Sequence, residues 1–331
     1  MPATGMATAA PRAARLSGLA FATLLLIALL MGANHVAARV AFQHGVDVAT
    51  AVSVRSSVTA LVVATILLAA RVPVRFERRH ARALPAIGLL IGVQSLCLYS
   101  AVARLPVALA LLVFNSFPLW IALAARLMYG ARPDRRLLMA MPVLLGGLAL
   151  ALDVSGAASG LGAAGQWQRI GSGVAFALGA AATFSVALVL VEHEAGGLDG
   201  RLRTATTMAI VACLAVTTAL VQGGFRLPSA GPGWWGLALL TVLYGTGITI
   251  LFTVLPRLGV VGNSAIMNVE PVFALVLAWL VLGQAIAPSQ VAGALVVVGA
   301  VVWLGLGRRP APPPSQASGT APAAITPRSQ S

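Results

Sequence analysis

Apolar runs of roughly 16–24 residues follow one another along almost the whole chain, and each approaches the ~20 residues that a helix needs to cross a bilayer. Charged residues make up 9% of the 331 residues, whereas a soluble domain usually carries about 25%. Because so few charges cannot coat a water-facing surface, the sequence predicts an all-α polytopic membrane protein. We place its ten transmembrane helices at residues 16–38, 48–70, 84–103, 107–129, 137–152, 170–191, 204–221, 234–255, 260–282 and 288–306.

The two halves of the chain match each other at a fixed offset of 153 residues. The matched residues are Gly18 and Gly171, Gly92 and Gly245, Arg104-Leu105 and Arg257-Leu258, Asn115 and Asn268, Pro118 and Pro271, Gly130 and Gly283, and Gly146 and Gly299. We therefore predict one five-helix repeat over residues 16–152 and a second over residues 170–306. Since five is odd, the second repeat must cross the membrane in the opposite sense, which predicts inverted repeats with a site between them near the midplane.

Arginine accounts for all 22 basic residues, and 17 of them fall in the N-terminus, in alternate connections and in the C-terminus. This bias predicts that both termini are cytoplasmic, so residues 153–169 form a periplasmic connection. Residues 1–15 and 307–331 are then cytoplasmic tails, the second of which is rich in Pro, Ala, Ser and Thr and is predicted to be disordered. The same distribution accounts for the net charge of +14 without any nucleic-acid partner.

One short segment occurs twice, as Asn115-Ser116-Phe117-Pro118 and Asn268-Val269-Glu270-Pro271, and interrupts the fourth span of each repeat. A proline inside a helix removes one backbone hydrogen bond and frees the carbonyl four residues earlier. In hydrocarbon such a group must face protein or a wet cavity. Helix breaks at Pro118 and Pro271, in corresponding places of two repeats, are typical of a central transport site.

The whole pattern resembles the EamA-like branch of the drug/metabolite transporter superfamily. The similar segments are Gly32-Ala33-Asn34-His35-Val36-Ala37-Ala38-Arg39 in the first span, Arg55 in the second, Leu98-Tyr99-Ser100-Ala101 to Pro118-Leu119, and Asn268-Val269-Glu270-Pro271-Val272-Phe273-Ala274 in the ninth. The resemblance implies export of small metabolites or drugs, often driven by proton exchange. The family often ends its fourth and ninth helices with Gly-Glu, whereas this chain has Gly130-Ala131 and Gly283-Gln284, so we carry no role over to Ala131 or Gln284.

Glu270 is the principal candidate for the chemistry, because it is the carboxylate that we place near the centre of a span and such a charge costs roughly 2.5–3.5 kcal/mol to insert. It either binds a cationic group and a proton in alternation, or is a protonated structural residue that bonds a freed carbonyl. Phe117 holds the equivalent position in the first repeat. It either forms an aromatic wall for a cationic substrate or only packs.

Further candidates lie on other predicted helices, and each has a structural alternative. Asn115 and Asn268 bind substrate or cap backbone groups loosened by the prolines. Asn34 and His35 lie in the outer third of the first helix, where His35 relays protons or is simply hydrogen-bonded. Arg55 holds a substrate carboxylate or extends to the outer headgroups. Tyr99 and Tyr244, on the third helix of each repeat, are expected to line a cavity.

These features together predict a secondary transporter of the bacterial inner membrane. We expect it to export small metabolites such as amino acids or their derivatives by alternating access, coupled to protons or to substrate exchange. An exporter of cationic drugs is the alternative, and a non-transporting scaffold or receptor is the alternative of another class. The sequence carries no catalytic, metal-ligating or nucleotide-binding motif, so we expect neither enzymatic activity nor a cofactor, with the lipid bilayer and a small molecule as partners. The oligomeric state is left open.

Overall fold

The computed structural model describes residues 18–71, 77–131, 135–157, 159–253, 269–284 and 287–306, and its regular structure in these ranges is helical. The helices are α1 Gly18–Gln43, α2 Val48–Ala69, α3 Arg78–Arg104, α4 Val107–Phe114, α5 Phe117–Tyr129, α6 Arg135–Ala151, α7 Gly162–Glu194, α8 Gly200–Val221, α9 Gly231–Thr253, α10 Glu270–Leu282 and α11 Pro288–Leu306. Asn268 and the two predicted tails lie outside the described residues.

Seven helical segments of the described chain are long and apolar enough to cross a membrane, and α4 and α5 together form one of them, Val107–Tyr129. Three other apolar helices are shorter: Leu138–Ala151, Glu270–Leu282 and Pro288–Trp303. The predicted count of ten spans is therefore not confirmed by length and hydropathy, whereas the all-helical architecture is.

Several helices continue beyond the ends that we predicted from hydropathy. Helix α1 runs on to Gln43 rather than ending at residue 38, because the half-buried Arg39 donates from Nη1 to the carbonyl oxygen of Val102 on α3 at 2.8 Å. Helix α3 begins at Arg78 rather than at residue 84, because Glu77 and His80 form a reciprocal capping box before the apolar residues start. The predicted bounds of the first and third spans were wrong for these reasons.

The duplicated breaks produce matching helices. Helices α5 and α10 begin at equivalent residues, have 13 residues each, and carry Pro118 and Pro271 in their first turns, where the missing N–H removes no helical bond. Each ends at a glycine in the left-handed conformation, Gly130 with φ 67° and Gly283 with φ 63°. Because glycine adopts this conformation without strain, the two helices end in the same way.

Contacts between helices also come in matching pairs. The packing of α1 against α9 has its counterpart in α7 against α3, that of α1 against α10 in α7 against α5, and that of α2 against α9 in α8 against α3. Helices α2 and α8, and α6 and α11, pack against their own counterparts. This pairing is the one that a two-fold axis between the repeats produces.

The largest core cluster draws residues from both repeats, among them Val102 of α3, Leu111 of α4, Val174 of α7 and Ala274 of α10. These side chains are nearly or fully buried. Since neither repeat closes its own core, the repeats fold onto each other, and the polar residues described next lie beside this shared core.

Candidate functional site

Glu270 and His35 face each other where the two repeats meet. Glu270 is the first residue of α10, and its Oε1 atom lies 3.4 Å from Nε2 of His35 on α1. The glutamate side chain is 22% exposed and the histidine side chain 7%. A carboxylate at a helix N-terminus is stabilised by the positive end of the helix dipole. The nearest polar partner of Glu270 among the described residues is thus the imidazole of His35. The alternative from the sequence, a protonated Glu270 with a structural role, expected a freed backbone carbonyl in this place.

Gly32 allows this contact by bringing α1 close to the first turn of α10. A Cβ atom at Gly32 would lie 3.1 Å from the carbonyl oxygen of Glu270 and 3.1 Å from the backbone nitrogen of Ala274. Such distances are tighter than ordinary van der Waals contact, so a side chain here would separate the two backbones. The absence of a side chain at Gly32 therefore positions His35, one turn along α1, opposite Glu270.

Asn34 and Tyr99 extend the polar group away from Glu270. The hydroxyl group of Tyr99 on α3 donates to Oδ1 of Asn34 at 2.9 Å, and both residues have no exposed surface. The Tyr99 ring also meets the ring of His35 edge to face, with centroids 5.6 Å apart. Tyr99 was expected to line a cavity, but in this conformation it is enclosed completely.

Arg55 of α2 is held between two tyrosine rings that come from different repeats. Its Cζ atom lies 4.6 Å from the ring centroid of Tyr99 and 3.9 Å from that of Tyr244 on α9. Its Nη2 atom donates to Oγ of Ser95 at 3.0 Å, and the residue is 3% exposed. The alternative in which Arg55 extends to the lipid headgroups is wrong, because two aromatic faces enclose its guanidinium group.

A continuous row of polar and aromatic side chains results, in the order Glu270, His35, Tyr99, Arg55 and Tyr244. Five helices supply it: α10, α1, α3, α2 and α9. The row has a carboxylate at one end and a guanidinium group near the other. We name these five residues the central polar row.

Asn115 lies apart from this row. Its Nδ2 atom donates to the carbonyl oxygen of Leu111 at 2.8 Å. The same carbonyl oxygen also accepts from the backbone N–H of Asn115. This is a contact with the backbone one turn upstream, of the kind that the capping alternative expects. Its counterpart, Asn268, lies outside the described residues.

Phe117 occupies the position of Glu270 on the other side of the two-fold arrangement, and its surroundings are aromatic. Its ring centroid lies 5.8 Å from that of Phe114 and 5.6 Å from that of Phe184 on α7. The hydroxyl group of Ser185 lies 2.9 Å from the carbonyl oxygen of Phe117, at the position equivalent to Gly32. The two matching interfaces therefore differ in chemistry, one carrying an acid and an imidazole and the other three phenyl rings.

Comparison with known proteins identifies the repeats. The model of the EamA-like transporter family matches residues 17–152 and again residues 171–306. The chain belongs to the EamA-like transporter family. Among solved structures 15 chains match, one of them described as a crystal structure of a protein, with a TM-score of 0.58 and 20% identity over 88% of this chain and 99% of that one. At this identity the likeness shows the fold alone. No curated protein matches the chain.

Gln284 connects the two EamA-like repeats at the end of α10. Its Oε1 atom accepts from the backbone N–H of Val107, the first residue of α4, at 3.3 Å. It thereby satisfies one of the N–H groups that a helix start leaves without a partner. The sequence analysis carried no role over to Gln284, because glutamine stands where the family often has glutamate. The equivalent residue of the first repeat, Ala131, has no side-chain acceptor.

The sequence analysis of this EamA-like chain also assigned no role to Ser95 or to Gly32. Ser95 follows Gln94 on α3 and orients the Arg55 guanidinium group. A lone serine in an apolar helix more often bonds its own backbone, so the sequence offers no signal for this role. For Gly32 a signal exists, because glycine in a membrane helix is typical of close helix packing.

Proposed function

We propose that this EamA-like protein is a secondary transporter that exports small metabolites such as amino acids or their derivatives across the bacterial inner membrane. The observation that carries the proposal is the pairing of Glu270 with His35 at the contact between the repeats. A charged residue inside a membrane protein tends to mark a substrate or ion pathway. Membership of a transporter family supports the same conclusion.

Alternating access would expose this contact first to one side of the membrane and then to the other. Helices α1 and α10 belong to different repeats, so a rocking motion of one repeat against the other changes the distance between His35 and Glu270. The arginine-rich connections and tails, placed on the cytoplasmic side, give the orientation with both termini inside.

Proton coupling follows from the same pair. We propose that Glu270 binds either the amino group of the substrate or a proton, and that His35 takes up the proton released when the substrate arrives. Among the described residues, the groups that face the pair are Tyr99 from α3 and, beyond its ring, Arg55 from α2. Helices α4 and α11, which also pack nearby, contain no ionisable residue.

Export of cationic drugs is the second candidate, and the aromatic group of Phe114, Phe117 and Phe184 favours it. Phenyl rings attract organic cations through their faces, and the half-exposed Phe117 ring begins α5 as Glu270 begins α10. A cation bound by Glu270 with its apolar portion toward these rings would use both interfaces.

The test is a growth screen in a bacterial host depleted of its own exporters. Wild type, Glu270→Gln and Glu192→Gln are expressed to equal levels in the membrane and challenged with toxic amino-acid analogues and with cationic drugs. Glu192 is a suitable control because it is an exposed carboxylate on α7. We expect wild type and Glu192→Gln to protect against amino-acid analogues and Glu270→Gln to fail.

The other outcomes separate the alternatives. Protection only against the drugs would select the second candidate. Equal protection by wild type and Glu270→Gln would keep the transporter but remove Glu270 from its mechanism. No protection, together with no uptake of the same compounds into vesicles, would favour a scaffold or receptor.

A further inference from the structure

Arg55 carries a buried positive charge without a carboxylate partner among the described residues. All of the chain's 8 acidic residues except Asp134 are described. Most are engaged elsewhere: Asp47 and Asp199 cap helices, Glu77 pairs with Arg79, and Glu194 accepts from Tyr129. In the central polar row the acid is Glu270, and it is paired with His35.

The groups around Arg55 orient its guanidinium group without neutralising it. Ser95 accepts one N–H, and the rings of Tyr99 and Tyr244, which carry no negative charge, pack against the guanidinium group. The Nε atom of Arg55 is buried and has no hydrogen-bond partner in the part of the chain that the structure describes. A buried charge normally needs both a counter-ion and hydrogen bonds for its remaining protons. What this site lacks is an acceptor that carries a negative charge.

Two neighbours of Tyr99 also carry buried polar atoms that lack partners among the described residues. These atoms are Nδ2 of Asn34 and Nδ1 of His35. Asn34 uses its oxygen to accept from the Tyr99 hydroxyl group, so only its N–H groups remain. The side chains on both sides of the Tyr99 ring therefore present unpartnered nitrogen atoms, and buried polar groups in native proteins are rarely left so.

We propose that Arg55 binds the carboxylate group of the transported molecule, so that the substrate class of this transporter is carboxylate-bearing metabolites. The inference rests on the function proposed above. A guanidinium group donates two parallel N–H bonds to the two oxygens of a carboxylate, and the free Nε–H is one of the donors such a pairing uses.

Tyr244 is the side chain that such a ligand has to displace. It lies on α9 in the second repeat, whereas Arg55 lies on α2 in the first, so movement between the repeats separates them. The Tyr244 hydroxyl group contacts the sulfur atom of Met208 at 3.7 Å, and a thioether is a weak acceptor. The ring that covers Arg55 is therefore held on its polar side by a weak bond.

The experiment compares ligands that differ only in the carboxylate. The purified wild-type protein is heated with each of the common amino acids, and then with the corresponding amino-acid amides, in which the carboxylate is replaced by a neutral group. We expect at least one amino acid to raise the midpoint of thermal unfolding and its amide to bind at least about tenfold more weakly. This comparison requires no variant and does not depend on how well a variant folds.

Variants then locate the effect. We expect Arg55→Gln to lose the response to the amino acid, and Arg55→Lys to keep the charge but bind about tenfold more weakly, because an ammonium group does not make the paired contact. Arg104→Gln is the control, since Arg104 is exposed at the end of α3; it should respond as wild type does.

Three results would overturn the proposal. They are equal stabilisation by an amino acid and its amide, unchanged amino-acid affinity in Arg55→Gln, and no response of the wild type to any amino acid. If the growth screen still shows protection, these results reject Arg55 as the carboxylate site and leave the transporter standing. Failure of the screen itself rejects the proposed function instead.

Discussion

Tyr99 of the central polar row donates a hydrogen bond to Asn34, and both side chains are completely buried. In a membrane protein such side-chain bonds contribute about 0.6 kcal/mol on average. Their loss costs more where it leaves the remaining partner buried. Each single variant should therefore lose more stability than half of what the double variant loses, because each single variant leaves one buried polar group without its partner.

A double-mutant cycle tests this at the residue scale. We expect Tyr99→Phe and Asn34→Ala each to lower the free energy of unfolding, with the double variant less destabilised than the sum by about 0.5–1.5 kcal/mol. The measurement is unfolding of the purified protein in detergent. Tyr129→Phe is the matched control, because the Tyr129 hydroxyl group bonds the carboxylate of Glu194 at an exposed site, where we expect a smaller loss. Strict additivity at Tyr99 and Asn34 would show that their bond adds nothing to stability.

At the scale of helices, the contact of α1 with α10 depends on the missing side chain of Gly32. The second repeat has Ser185 at the equivalent place, where a hydroxyl group reaches the carbonyl oxygen of Phe117. The acid-bearing interface instead brings backbone against backbone. The distance between these two helices therefore sets the distance between His35 and Glu270.

Gly32→Ala should move α10 away from α1 and reduce transport strongly, while overpacking destabilises the fold by about 1–3 kcal/mol. Gly179→Ala is the matched control, because a Cβ atom there would lie 3.8 Å from the sulfur atom of Cys97, an ordinary contact. Protection in the growth screen and the unfolding midpoint are measured for both. Wild-type transport in Gly32→Ala would mean that the spacing of these helices is not critical.

Helix ends were predictable from the sequence where a local signal fixes them, and less so where a tertiary contact does. Gly130 and Gly283 end α5 and α10 within a residue of the predicted bounds, because glycine can take the left-handed conformation there. The end of α1 was missed, since Arg39 marks the end of an apolar run in the sequence but bonds α3 in the fold. Hydropathy records what is apolar and not where the helix stops.

The whole molecule combines a symmetric arrangement of helices with an asymmetric distribution of charge. Residues 153 positions after Asn34, His35 and Arg55 are Ala187, Leu188 and Met208. Glu270, in turn, has Phe117 as its counterpart. The repeat could be recognised from sequence because helix breaks recur at a fixed offset. The tyrosine enclosure of Arg55 could not, because Tyr244 reaches it from the other repeat and no local pattern specifies that contact.

Exchanging the two key residues tests this asymmetry. We expect the double variant Phe117→Glu/Glu270→Phe, which keeps the composition unchanged, to lose transport. The exchanged carboxylate would have no imidazole partner on α7, because Leu188 stands there at the position equivalent to His35. Its unfolding free energy should also fall, by roughly the 2.5–3.5 kcal/mol cost of an unpartnered charge in a membrane helix. Phe117→Leu, which keeps the interface apolar, should retain most of the transport. Full activity of the double variant would mean that the two interfaces are interchangeable.

The bond between Gln284 and Val107 has a consequence for synthesis of the chain. These residues are 177 positions apart, so α4 emerges from the ribosome long before the side chain that accepts from its first N–H. Glu270 and Tyr244 are likewise synthesised long after His35 and Arg55, the residues that they contact. The first repeat therefore enters the bilayer with an imidazole, a guanidinium group and a helix start whose partners belong to the second repeat. A chain stopped after residue 152 would present these polar groups to lipid or to the membrane's insertion and quality-control machinery.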